Sequence, residues 1–116
     1  MSGRSNYLEG LSAEDAVARA YVRLGHSLEA WRWRGTRGEI DLIFRCGEAY
    51  VFVEVKKSRD FRRAAEALAS AQLDRICQTA VEYLSKRPNG MQADMRFDLA
   101  MVDRSGQIER LENITL

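Results

Sequence analysis

The sequence predicts an α/β fold, a mixed central sheet flanked by helices in the order α-β-β-β-α-β-β. Three observations predict it. Two segments repeat apolar residues at helical spacing. Five shorter segments have strand character, the clearest of them alternating or rich in β-branched and aromatic residues. Turn signals at Gly25, at Cys46-Gly47-Glu48 and at Pro88 separate them. A sheet that carries two helices buries both kinds of apolar face.

The first helix is expected over about residues 12–24. Ser12 reads as its N-cap, with Asp15 imitating the acidic partner of a capping box. Ala13, Ala16, Val17, Ala20, Tyr21 and Leu24 follow at helical spacing, and Gly25 stands where a left-handed cap belongs. Ser27–Trp33 has the weakest strand character. In Glu39–Arg45, residues Ile40, Leu42 and Phe44 point one way and Glu39, Asp41 and Ile43 the other. Tyr50–Lys56 is the third strand, and the short turn before it calls for an antiparallel hairpin. A long helix is expected over about Arg63–Lys86, with Leu68, Leu73, Ile76, Ala80, Val81 and Leu84 as its buried stripe. Pro88 stops it. Met95–Asp103 and Ile108–Ile114 are the last two strands, joined by Arg-Ser-Gly-Gln.

With 116 residues the chain fits one domain, 1–116, of which residues 1–10 are expected to be flexible. No apolar run approaches the roughly 20 residues that cross a bilayer, and Met1–Gly10 lacks an apolar signal region. A cytoplasmic protein without a membrane partner is the expectation. Cys46 and Cys77 make no disulfide framework and no zinc spacing, and read as reduced thiols. His26 has no nucleophile to pair with, and no phosphate-cradling glycine loop occurs.

The net charge of +1 excludes attraction to nucleic acid by bulk charge, but the charge is polarised. Arg32, Arg34 and Arg37 lie together without an acid among residues 31–37. Lys56, Lys57, Arg59, Arg62 and Arg63 face a single acid, Asp60, among residues 56–63. Both groups flank the hairpin of the second and third strands.

Chemistry is expected on one face of that hairpin. Glu54 and Lys56, two apart, share the face opposite Val51, Val53 and Val55. If the strands pair, Asp41 stands beside Glu54. Two adjacent carboxylates resist ionising together, and a hard divalent cation such as Mg²⁺ removes the conflict. Lys56 beside them suits the attacking water or a phosphoryl oxygen that gains charge. Glu-x-Lys alone is also an ordinary exposed strand pattern. Glu14 lies at the edge of the first helix's apolar stripe. There it is either a site carboxylate partnered by a metal or by Lys56, or an acid favoured by the helix dipole.

The runs Gly38-Glu39-Ile40-Asp41-Leu42-Ile43 and Phe52-Val53-Glu54-Val55-Lys56 resemble the YraN-like endonuclease-type family. So do Gly10, Glu14, Ala18 and Leu24-Gly25 near the start and Arg96-Phe97-Asp98-Leu99 near the end. The resemblance spans about residues 10–114. It implies a bacterial PD-(D/E)xK nuclease with a restriction-endonuclease-like core, similar in shape to Holliday-junction resolvases. It puts catalytic positions at Asp41, Glu54 and Lys56 and adds Glu14, with Asp41, Glu54 and Glu14 as ligands of Mg²⁺ or Mn²⁺. Two positions depart from the family's habit: Arg32 stands where members often carry asparagine, and Gln72 where they often carry lysine. A glutamine on this helix is familiar in other PD-(D/E)xK nucleases, so Gln72 either faces the site or lies on the helix flank.

The function expected is metal-dependent hydrolysis of DNA phosphodiester bonds, on structured or single-stranded DNA. The basic residues Arg32, Arg34, Arg37, Lys57, Arg59, Arg62 and Arg63 would meet phosphates, and one of Trp31 and Trp33 would stack on unpaired bases. The alternatives are a nucleic-acid-binding module of the same fold that no longer cuts, and an interaction protein with no nucleic-acid role. A homodimer would suit paired cuts.

Overall fold

A computed structural model describes residues 3–57 and 70–114. Helix α1 spans Gly3–Arg23 and α2 spans Ser70–Ser85. The strands are β1 (Ser27–Arg34), β2 (Glu39–Cys46), β3 (Ala49–Lys57), β4 (Met95–Val102) and β5 (Ile108–Leu111). They form one five-stranded sheet in sequence order. β3 and β4 are parallel and the other neighbours antiparallel, so the sheet is mixed. The parallel pair follows from the chain crossing over through α2, whereas the β1–β2 and β2–β3 turns are too short for anything but hairpins.

α1 begins well before Ser12, which corrects the expected start. Residues 3–11 contain no proline, and an interior glycine such as Gly10 costs only about 1 kcal/mol. Ser12 therefore lies inside the helix, and Asp15 instead pairs with Arg19 at 3.0 Å. The far end is as expected. Gly25 has φ +93°, the His26 amide donates to the Tyr21 carbonyl at 3.1 Å and the Gly25 amide to that of Val22 at 3.0 Å. This is the paired cap that a left-handed glycine makes possible. Leu24, past the last turn, is exposed rather than part of the stripe.

Each helix covers one face of the sheet. Ala13, Val17, Ala18 and Tyr21 of α1 pack on Leu42, Phe44, Val51, Val53, Ala100 and Val102. Ile76, Ala80, Tyr83 and Leu84 of α2 pack with Ile40, Ile43, Tyr50 and Phe52. Val81 is exposed and Tyr83 buried, the reverse of the expected stripe, because positions 76, 80, 83 and 84 keep the helical period and 81 falls outside it. Leu68 lies outside the described residues.

Ile40 joins Ile43, not Leu42 and Phe44, which corrects the alternation expected in β2. Its partner strand explains the change. Ile40 pairs with Trp33 and Ile43 with Ala30, and all four lie on the α2 side. Arg32 between them has φ +51°, so both strands turn over in step around one left-handed residue. β5 is shorter than expected, ending at Leu111. Asn113 has φ +53°, and the chain folds back so that the Ile114 amide donates to the Phe97 carbonyl at 2.7 Å.

Candidate functional site

The β2–β3 ladder runs from Cys46–Ala49 to Leu42–Val53. One step further, Asp41 stands opposite Glu54, and there a side chain takes over. Asp41 Oδ2 accepts the Val55 amide hydrogen at 2.8 Å. A half-buried amide at the end of a ladder still needs an acceptor, and Asp41 supplies it. This bond fixes the carboxylate between the strands rather than leaving it free on a face.

Glu54 is buried beside it. Burial, and then the hydrogen bond and negative charge of Asp41, push the Glu54 carboxyl up to about 9, while Lys56 pulls the other way and Glu39 adds to the rise. Two carboxyls this close resist ionising together, so Glu54 keeps its proton to higher pH than an exposed glutamate does. Lys56 follows two residues on, half-buried and on the face of Glu54. The structure thus brings Asp41, Glu54 and Lys56 together. Gln72 is half-buried near the start of α2 and makes no hydrogen bond among the described residues.

Glu14 has a different partner from either one anticipated. It is buried on α1, and Arg32 grips it with both ends of the guanidinium, Nε to Oε1 at 2.8 Å and Nη2 to Oε2 at 3.0 Å. The left-handed φ of Arg32 lets its side chain reach α1 while its neighbours Ala30 and Trp33 face α2. The pair solves the cost of burying a carboxylate with a planar fork that matches it. Among the described residues no three of His, Cys, Asp and Glu gather as a metal-ligand group, so Asp41 and Glu54 stand as a pair.

The remaining basic residues divide. Arg34 is exposed and bridges to Glu39 at 3.2 Å; Arg37 and Lys57 are exposed. Arg59, Arg62 and Arg63 lie outside the described residues. Trp33 is held edge-on against Tyr83, ring centres 5.2 Å apart, whereas Trp31 is 37% exposed.

Two polar clusters escaped the sequence reading. Asp98, buried in β4, accepts the Tyr21 hydroxyl at 2.6 Å, Arg96 at 2.9 Å through both oxygens, and the Asn113 amide at 2.9 Å. Burial and Asp98 raise the Tyr21 hydroxyl, which stays a donor. The signal was an acid between Phe97 and Leu99 in an apolar strand. Glu82 of α2 accepts the Thr36 amide at 2.8 Å and its hydroxyl at 3.0 Å, clamping the β1–β2 turn onto α2. The turn lies so close that a Cβ at Gly35 would meet Glu82 Oε1 at 2.5 Å.

Residues 13–102 match the model of a family described as "Uncharacterised protein family UPF0102". A UPF0102 protein of Ruegeria pomeroyi is 51% identical over 111 residues, covering 96% of this chain and 90% of its own. One from Roseobacter denitrificans is 49% identical, covering 97% and 87%. One from another Ruegeria strain is 39% identical over 96% and 90%.

Proposed function

The chain belongs to the UPF0102 family, the YraN-like family its motifs resemble, and from this premise we propose that it is a metal-dependent endonuclease of restriction-endonuclease-like fold that hydrolyses phosphodiester bonds in structured or single-stranded DNA. One observation carries the reading: two carboxyl groups stand side by side at the open end of a hairpin, one of them fixed by the Val55 amide, with an ammonium on the same face. Structural carboxylates are usually separated or matched to a base, as Glu14 and Asp98 are. Asp41 and Glu54 are instead matched to each other.

Such a pair fits a hard divalent cation, whose charge would offset the repulsion between the two carboxylates, and Asp41 and Glu54 would hold Mg²⁺ or Mn²⁺ between them. When bound, the ion supplies charge stabilisation at the phosphate and a more acidic water. The Val55 amide keeps Asp41 oriented. Lys56 steadies the attacking water or the phosphoryl oxygen that gains charge. Arg34, Arg37 and Lys57 contact phosphates and position the strand without reading its bases.

The test compares melting with and without millimolar Mn²⁺ in the parent and in Asp41→Asn. Asparagine keeps an acceptor for the Val55 amide but loses the charge, so the fold should survive. The parent should melt higher with the ion, by mass action, and the variant should not. The parent alone should then cut branched or single-stranded DNA. Full cleavage by the variant would remove Asp41 from the mechanism.

Capture of Glu14 by Arg32 favours a second reading, a nucleic-acid-binding module of the same fold that does not cut. It predicts salt-sensitive DNA binding with no metal-dependent turnover.

A further inference from the structure

Beside the β1–β2 turn lies a shallow groove of about 430 Å³, lined by Thr36, Arg37, Cys77, Gln78, Val81 and Glu82. Val81, 37% exposed, gives it an apolar floor that no element of the fold covers among the described residues. Cys77 adds a partly exposed thiol. The exposed Gln78 carboxamide offers donors and an acceptor together, the functionality that matches the edge of a base.

The groove is also polarised. Arg37 stands at its rim, exposed and without an ion pair among the described residues. Glu82 forms one wall, and its carboxylate is held ionised first by the Thr36 amide and also by the Thr36 hydroxyl and Lys86. A phosphate is thus attracted to the rim and repelled from the wall. Arg37 precedes Asp41 by four residues, so the rim is at most about 14 Å along the chain from the carboxylate pair.

We propose that this groove receives an unpaired nucleotide of the substrate strand, its phosphate at Arg37, its base face on Val81 and Cys77, and its edge toward Gln78. The inference rests on the nuclease reading and deepens it, for it names single-stranded nucleic acid as what the site prefers. A paired base hides its faces and its Watson–Crick edge inside the duplex, and a flipped or unpaired one presents both.

Two measurements test it. In a Cys46→Ser background, Cys77 is the only thiol, and its alkylation rate reports on the groove without altering it. A saturating single-stranded oligonucleotide should slow that rate several-fold, and a blunt duplex should not. Val81→Ser, an uncharged change at an exposed position, should weaken single-strand binding several-fold, the worth of about one lost apolar contact, and leave duplex binding nearly unchanged. Unchanged alkylation by an oligonucleotide that does bind, or equal losses for single strand and duplex in Val81→Ser, would overturn the groove while leaving the nuclease reading standing. A parent protein that binds no oligonucleotide and no Mn²⁺ would overturn both.

Discussion

Asp41 and Glu54 show how a residue's chemistry is set by its place in a ladder. Asp41 lies where pairing stops, so its side chain is drawn in to satisfy a backbone amide, and that brings it against Glu54. The pairing of the two acids was legible from Gly-Glu-Ile-Asp and Glu-Val-Lys, because alternation puts both at one end of one hairpin. The bond to Val55 was not legible, since it depends on where the register opens. The raised Glu54 carboxyl has a consequence for stability. The unfolded chain loses the Glu54 proton near its ordinary value of 4.5, the folded one near 9. Between those values the folded state binds the extra proton, so stability falls as pH rises through the window. Glu54→Gln removes this titration. Denaturant unfolding followed across the window should give a flatter pH profile for the variant than for the parent, with the variant gaining relative stability toward pH 9. Parallel profiles would mean that Glu54 ionises normally in the folded chain.

β1 and α1 are coupled through Arg32 and Glu14, and this coupling explains why the weakest strand of the sequence reading forms at all. β1 is an edge strand with a register shift between Leu28 and Ala30, and it needs contacts beyond its ladder. It obtains them from Trp33 on the α2 side and from Arg32 on the α1 side. The sequence betrays little of this. A positive φ at an arginine has no local signature, and the interval of 18 residues between Glu14 and Arg32 leaves no periodicity. Element types and order were legible from local pattern. Boundaries set by non-local bonds were not, as the early start of α1 and the early end of β5 show. Arg32→Met removes the partner of a buried carboxylate and should destabilise by about 2 kcal/mol. Adding Glu14→Gln removes the stranded charge and should recover part of that loss. The coupling read from this double-mutant cycle is expected to be clearly non-zero. Strict additivity of the two single changes would show that the ion pair contributes nothing.

The molecule as a whole carries a charge of only +1, so any affinity for nucleic acid must come from where its charges stand. The fold separates the arginines that the sequence had grouped. Arg32 turns inward to Glu14, Arg34 bridges to Glu39, and Arg37 remains exposed on the β1–β2 turn near the hairpin site. Clustering along a chain and clustering on a surface differ, and only the fold distinguishes them. Counterion release makes the difference measurable. For single-stranded DNA each phosphate contact adds about −0.7 to the slope of log K against log salt. Arg37→Ala should therefore flatten the slope by about 0.7, the loss of one contact. Arg32→Met should leave the slope where it was, even though it lowers stability, because that guanidinium serves a carboxylate and not a phosphate. If Arg32→Met flattened the slope as much as Arg37→Ala, Arg32 would have to exchange Glu14 for the nucleic acid on binding.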